Sequence, residues 1–185
     1  MGGSLALALR GKCASLLGID PDPQAVALAS ELRVVDQAAG RADALLPQAD
    51  LVVLAAPVRA IIQLLEELPA LHPGVAVVLD LGSTKSHIVQ AMQALPERFD
   101  PLGGHPMCGK ERGSLANAEA GLFRDAPFAL TCLPRTSLHA RSLAEELVQA
   151  IGARPLWVGA SGTAGGKPAA SGSASWLASA SGPKW

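Results

Sequence analysis

Residues 75–85 read Val-Ala-Val-Val-Leu-Asp-Leu-Gly-Ser-Thr-Lys, and this stretch decides the fold. Its first part, Val75–Leu81, is an apolar run of the kind found in strands that are buried on both faces. A helical pattern over Lys85–Leu95 follows the glycine turn. The strand Leu51–Ala56 and the helix Val58–Leu68 repeat the same unit, which indicates a parallel sheet covered by helices.

The rest of the chain continues this alternation of strands and helices up to Val158. The pattern predicts further strands over Ala14–Ile19, Val34–Val35, Phe99–Leu102, Phe128–Leu133 and Pro155–Val158. It predicts further helices over Gly2–Lys12, Asp22–Leu32, Gly40–Leu46 (a short helix or a loop), Ser114–Phe123 and Ser137–Ile151. We therefore expect an α/β domain with a doubly wound, mostly parallel sheet over residues 1–158.

Composition and charge fit a globular protein and exclude several functional classes. The 185 residues are 49% hydrophobic and 17% charged, which is enough to build a sizeable core. The formal net charge of −1 argues against binding to nucleic acid or to an acidic membrane surface. The longest apolar runs are far too short to span a bilayer.

The cysteines give no sign of a metal site or of a disulfide framework. Cys13, Cys108 and Cys132 are an odd number without metal-ligand spacing, which predicts no bound metal and reduced thiols in the cytoplasm. Cys108 could be proposed as a nucleophile, but no adjacent residue is an obvious activator. A small packing residue is therefore the preferred interpretation of Cys108.

Both ends of the chain depart from the alternation of strands and helices. After Val158 the sequence is rich in Gly, Ala and Ser, and we expect residues 159–185 to be a disordered low-complexity tail or an out-of-frame translation. At the other end, Gly2-Gly3-Ser4 opens a helix with no strand before it, so the sheet is expected to lack its first strand. Two neighbouring strands would then lose a ladder of hydrogen bonds, which predicts a destabilised or aggregation-prone product.

The most informative functional motif is Gly103-Gly104-His105-Pro106-Met107-Cys108-Gly109-Lys110-Glu111. An imidazole titrates near neutral pH, which suits His105 to accept a proton during catalysis. Glycine lets a backbone approach a ligand closely, and proline stiffens the turn that aims the ring. The alternative is a structural histidine, and His72, His87 and His139 are interpreted in that way.

Polar and small residues follow three of the predicted strands, where parallel sheets form their ligand crevice. Asp20 ends one strand and can bind an adenosine ribose, although it could also cap the next helix, a role that Asp22 could fill instead. Ala55-Ala56-Pro57 follows a second strand. After the third, Ser83 can hydrogen-bond a substrate or a nicotinamide carboxamide, or cap the helix. Lys85 offers positive charge to an anionic substrate, or lies solvated on the first helical turn.

Three segments together resemble the prephenate and arogenate dehydrogenases of tyrosine biosynthesis, namely Met1–Ala6, Asp80–Lys85 and Gly103–Glu111. The resemblance extends over about Met1 to Val158, and the histidine motif and the Gly-Ser-x-Lys motif are its specific parts. It implies a Rossmann-type fold and an NAD(P)-linked oxidative decarboxylation. The substrate it implies is a cyclohexadienyl acid, with prephenate giving 4-hydroxyphenylpyruvate or arogenate giving tyrosine.

The resemblance also implies roles for the residues near the reaction. His105 matches a histidine that accepts the proton of the ring hydroxyl while hydride passes to nicotinamide, after which loss of carbon dioxide aromatises the ring. Ser83 matches a serine that positions the hydroxyl, the histidine and the nicotinamide. Glu111 matches an acidic position at the mouth of the site, where a gating role and a plain surface position are both open. Lys85 stays a candidate substrate-binding residue.

For the cofactor, the resemblance implies NAD, with NADP less favoured because of Asp20. Gly2 matches the third glycine of the dinucleotide fingerprint, and Asp20 matches its ribose-binding acid. Ala56 and Pro57 follow a strand over whose end such cofactors pass. These four residues and Ser83 are the predicted cofactor contacts.

One departure from the family leaves the function open. The helical second domain that supplies substrate-binding residues and the homodimer interface in the family has no counterpart after Val158. One alternative is therefore a non-catalytic fragment that retains weak dinucleotide contacts. Another is a Rossmann dehydrogenase of the 3-hydroxyacid or imine reductase kind. The histidine motif argues against the latter, since those families generally rely on a lysine in a later helical domain.

Overall fold

The computed structural model describes residues 1–109, 114–159 and 176–183. The eight strands within these ranges are β1 Cys13–Ile19, β2 Gln37–Ala39, β3 Leu51–Leu54, β4 Ala76–Asp80, β5 Phe99–Pro106, β6 Pro127–Cys132, β7 Arg154–Val158 and β8 Trp176–Pro183. The six α-helices are α1 Gly2–Leu9, α2 Pro23–Glu31, α3 Ala42–Leu45, α4 Val58–Leu71, α5 Lys85–Gln93 and α6 Leu138–Ala150.

All eight strands form one sheet in the order β2-β1-β8-β3-β4-β5-β6-β7. The pairs β1–β2, β3–β4, β4–β5 and β6–β7 are parallel, whereas β8 is antiparallel to both of its neighbours and β5 is antiparallel to β6. With helices on both faces, this is the predicted Rossmann-type α/β fold. No helix in the described ranges is long and apolar enough to cross a membrane.

The two faces of the sheet bury separate apolar clusters. Val53 and Leu79 point to the face that Leu5 of α1 and Leu147 of α6 cover. The intervening residues, such as Val52, point to the other face, which is covered by α4 and α5. Every residue of β3 and β4 is buried for this reason, and their continuous apolar runs follow from it.

The centre of the sheet differs from the sequence-based prediction. β8 lies between β1 and β3, and Trp176 pairs with both Ile19 and Leu54. Residues 176–183 therefore form a strand, whereas the sequence predicted disorder for residues 159–185. The rest of that segment, residues 160–175 and 184–185, lies outside the described residues. The physical reason is that β1 and β3 each direct backbone N–H and C=O groups into the same gap, and such buried groups require partners. The predicted loss of these ladders is therefore not what the structure shows.

The histidine motif begins in a strand and not in a loop. Gly103, Gly104 and His105 all lie in β5, and His105 pairs with Ala129 of the antiparallel β6. Gly104 is needed for close packing, because an added Cβ would lie 2.8 Å from the carbonyl oxygen of Asp80. The glycine at this position therefore allows β4 and β5 to approach each other closely.

Two weaker predictions are also wrong. Val34–Val35 is not a strand, because the Val34 N–H bonds to the Ala29 carbonyl and closes the end of α2. The strand comes later, at β2. The predicted helix Ser114–Phe123 is only a 3₁₀ turn over Leu115–Asn117, since the backbone turns extended at Ala118.

Candidate active site

The ends of four strands meet at one edge of the sheet, and the predicted site residues lie there. Asp20 follows β1, Ala55-Ala56-Pro57 follows β3, and Ser83 follows β4 by three residues. β5 is parallel to β4 and brings His105 to the same edge. Helix α1 runs back from this edge to the start of β1, so Gly2 lies at this edge as well. The topology therefore gathers these predicted site residues at one edge: Gly2, Asp20, Ala56, Pro57, Ser83 and His105.

A buried ion pair joins the end of β4 to the start of α5. The Nζ of Lys85 lies 2.5 Å from Oδ2 of Asp80, and the two side chains are 11% and 0% exposed. Lys85 also donates to the carbonyl oxygen of Gly104, the residue before His105. The Gly82 N–H donates to the same Asp80 oxygen at 2.9 Å. One cation thus links β4, β5 and α5.

Small residues make room for this ion pair. A Cβ on Gly82 would lie 2.5 Å from Cδ1 of Ile88 and 3.1 Å from Oδ2 of Asp80. A Cβ on Gly103 would lie 3.6 Å from Oδ1 of Asp80 and 3.6 Å from Cδ of Lys85. The glycines of both motifs therefore pack around the same buried charges.

His105 is half-buried beside this pair. Burial lowers the pKa of its imidazole, the positive charge of Lys85 lowers it further, and the carboxylate of Asp80 opposes both effects. The imidazole Nδ1 is buried without a hydrogen-bond partner among the described residues. A half-buried imidazole of lowered pKa is neutral at neutral pH, and it can then accept a proton.

The loop between β4 and α5 supplies the other polar group. Thr84 is the N-cap residue of α5, in an extended conformation, but its side chain makes no capping hydrogen bond. Ser83, one residue earlier, is half-buried. Because Thr84 occupies the cap position, the alternative role of Ser83 as the N-cap is not what the structure shows.

Three helix N-termini at this edge are suited to bind the phosphate groups of a dinucleotide. Among the described helices, α1, α4 and α5 begin at this edge without a side-chain cap and without an acidic residue in the first turn. Their first N–H groups and positive dipole ends suit an anionic group such as a pyrophosphate. Gly2 opens α1, and Pro57 is the N-cap residue of α4, next to the half-buried Ala56.

The structure shows which of Asp20 and Asp22 caps helix α2, a question that the sequence left open. The Asp22 carboxylate accepts from the Gln24 N–H at 2.9 Å and caps α2, as predicted for Asp22. The Asp20 carboxylate accepts from the Asp22 N–H at 3.0 Å, which holds it at the end of β1. The cap role therefore belongs to Asp22.

The described residues do not add Glu111, Cys108 or a metal centre to the site. Glu111 lies outside the described residues. Cys108 packs against the apolar cluster that contains Leu5, and burial raises the pKa of its thiol, which disfavours the reactive thiolate. No group of three or more metal-binding side chains is present in the described part of the chain.

Sequence reasoning missed Asp80 as a site residue. Its signal was an acidic residue inside an apolar run, five positions before Lys85. A fully buried carboxylate needs a charged or hydrogen-bonding partner, so this acid could have been paired with a nearby cation. Lys85, expected to face substrate or solvent, is that partner.

Comparisons with known proteins agree with this geometry. The sequence profile described as "Prephenate dehydrogenase, nucleotide-binding domain" matches residues 5–156. The chain is 39% identical over 149 residues to prephenate dehydrogenase of Bacillus subtilis, covering 76% of this chain and 39% of that protein.

Among the solved structures that are similar to the chain are two dehydrogenases. The prephenate dehydrogenase of Aquifex aeolicus in complex with hydroxyphenyl propionate and NAD⁺ has a TM-score of 0.78 and 27% identity, covering 86% of this chain and 57% of that one. Synechocystis arogenate dehydrogenase has a TM-score of 0.74 and 26% identity, with coverages of 85% and 56%. The chain thus spans between about two fifths and three fifths of the length of these relatives.

Proposed function

The chain belongs to the prephenate dehydrogenase family, and we propose from this premise that it serves the NAD-dependent oxidative decarboxylation of prephenate or arogenate. The observation that carries the proposal is the position of His105, half-buried at the carboxyl edge of the sheet beside Lys85 and Asp80. The family assignment replaces the alternative of a 3-hydroxyacid or imine reductase.

His105 acts as the proton acceptor in this proposal. The ring hydroxyl of the substrate gives its proton to the neutral imidazole, while the hydrogen on the same carbon leaves as hydride. NAD, held by the residues described below, would supply the acceptor for that hydride. The ring carboxylate then leaves as carbon dioxide, and its bonding electrons complete the aromatic ring. The lowered pKa of His105 supports this role, since a protonated ring could not take the proton.

Other residues position the reactants. Ser83 is half-buried at the same edge and donates a hydrogen bond to the substrate hydroxyl or to the carboxamide. The gating role that the resemblance implies for Glu111 stays a prediction, because Glu111 lies outside the described residues. Lys85 uses two of its three N–H donors on Asp80 and Gly104, so one donor is left for a substrate oxygen.

The cofactor is held by the open end of α1 and by Asp20. Gly2, at the open N-terminus of α1, would hold the pyrophosphate through backbone N–H groups, and Ala56 and Pro57, at the start of α4, would contribute to the same cofactor site. The carboxylate of Asp20 accepts hydrogen bonds from the ribose hydroxyls and repels a 2′-phosphate. NAD is therefore proposed in preference to NADP.

A second candidate is a dinucleotide-binding chain without turnover. The observation behind it is that the matching profile describes a nucleotide-binding domain, over residues 5–156.

One assay separates the two candidates. The purified chain is mixed with NAD⁺ and either prephenate or arogenate, and NADH formation is followed by absorbance, with NAD⁺ binding measured separately by calorimetry. Turnover that falls at least about 100-fold in His105→Asn, with NAD⁺ affinity unchanged, supports the enzyme. Binding without turnover supports the second candidate, and absence of both would refute each proposal.

A further inference from the structure

The buried ion pair between Lys85 and Asp80 is not explained by a contribution to the stability of the fold. Both side chains are almost fully withdrawn from solvent, at 11% and 0% exposure. Desolvating two charges offsets most of their attraction, so apolar residues of similar size would give comparable stability. Burial lowers the pKa of Lys85, and Asp80 opposes this shift. The pair is thus better explained by what it does to its neighbours.

The neighbour that both charges reach is the strand carrying His105. Lys85 donates to the carbonyl oxygen of Gly104, so the peptide unit joining Gly104 to His105 is tied to α5. Asp80 is tied to the same point by the close approach of β4 to Gly104. The strand that carries His105 is therefore fixed through its backbone, whereas the Nδ1 of the ring has no hydrogen-bond partner within the described residues.

The charges around His105 come from two elements. Asp80 at the end of β4 and Lys85 on α5 are the charged groups that act on the imidazole within the described residues. The strand on the other side, β6, places the uncharged Ala129 opposite His105. An unpaired Asp80 carboxylate would favour the imidazolium, and Lys85 compensates that charge.

We propose that Lys85 is a positioning residue for His105: it fixes the β5 backbone at Gly104 and neutralises Asp80, so that the imidazole is presented to its ligand as an uncharged base. This role deepens the proposed function and rests on it for its catalytic meaning. It differs from direct substrate binding, because Lys85 acts through a backbone carbonyl and a buried carboxylate.

The test is the titration of the His105 ring, measured by NMR on the full 185-residue chain. The chain has four histidines, and a His105→Gln variant identifies the signal. Lys85→Met keeps the aliphatic length and removes the positive charge that lowers the pKa of His105, so this pKa should rise. Asp80→Asn keeps the shape and leaves Lys85 charged, so the pKa of His105 should fall. Lys12→Met is the matched control, because Lys12 bonds to Ala150 near the opposite edge.

Shifts of the His105 pKa in opposite directions in the two variants support the proposal. If the two residues had only a structural role, the direction of the shift would not depend on which charge is removed. Shifts in the same direction, or an unchanged pKa in both, would overturn it. If Lys85→Met does not fold, Asp80→Asn still decides: an unchanged or raised pKa of His105 refutes the inference. The titration needs neither substrate nor turnover, so failure of the proposed enzyme activity would be seen separately.

Discussion

Gly104 packs so closely on Asp80 that an added methyl group would lie 2.8 Å from the Asp80 carbonyl oxygen. It would also lie 2.8 Å from Cδ1 of Leu79 and 3.0 Å from Cε1 of Phe128. A backbone oxygen in the neighbouring strand cannot rotate away, so β5 itself must shift. The residue that follows, His105, would move with it.

We predict that Gly104→Ala destabilises the protein by about 1–3 kcal/mol, as overpacking does elsewhere. Urea unfolding measures this change. Gly121→Ala is the matched control, because nothing lies within 4 Å of its Cβ position. Equal unfolding midpoints for the two variants would show that the contact with Asp80 is not tight.

Acid should weaken the fold through His105. Its pKa in the folded protein is lowered by burial and by Lys85, so below about pH 6.5 the unfolded chain binds a proton that the folded chain resists. Stability should therefore fall as pH drops through this window, relative to a His105→Gln variant. Urea unfolding at a series of pH values provides the comparison. A difference between the two proteins that stays constant from neutral to acid pH would contradict the lowered pKa.

Asp20 should set the cofactor preference. We expect Asp20→Ala to reduce NAD⁺ affinity about ten- to a hundredfold, the value of a hydrogen bond to a charged group, and to improve NADP⁺ binding relative to NAD⁺. Calorimetric titration with each cofactor measures both constants. Asp22→Ala is the control, since it removes the cap of α2 but should keep the cofactor ratio. If the two variants show the same ratio, Asp20 does not bind the ribose.

Removal of residues 176–185 should open the middle of the sheet. The backbone groups of β1 and β3 that pair with β8 would lose their partners, and stability should fall by several kcal/mol at about 1 kcal/mol per hydrogen bond. Hydrogen exchange should show lost protection in β1 and β3. Removing only residues 184–185 should leave both ladders intact. Unchanged exchange in β1 and β3 after the larger deletion would argue against β8.

The sequence could predict those parts of the fold that local patterns encode. β3 and β4 are buried on both faces, which makes their apolar runs continuous and easy to recognise. Helix α6 could be found from its start at Ser137, whose side chain caps the Ala140 N–H. The position of β8 could not, because it depends on partners far away in the sequence.

Part of the candidate site could likewise be predicted from the sequence, and part could not. His105, Ser83 and Asp20 could be placed at one edge, because each follows or ends a predicted strand. The purpose of Gly104 could not be seen, since a glycine that allows a turn and a glycine that allows close packing look alike in sequence. The contact that distinguishes them belongs to Asp80, on another strand.

The central position of β8 also governs how the chain can fold. The pairings β1–β2, β3–β4 and β4–β5 each join two strands that are near each other in sequence. In contrast, β8 pairs with strands far away in the sequence, for example through Trp176 and Ile19. Such pairs raise the contact order of the fold, and folding slows as contact order increases. The β8 pairings therefore have the slowest loop closure in the sheet, and until they form, β1 and β3 expose edges that can associate with other chains.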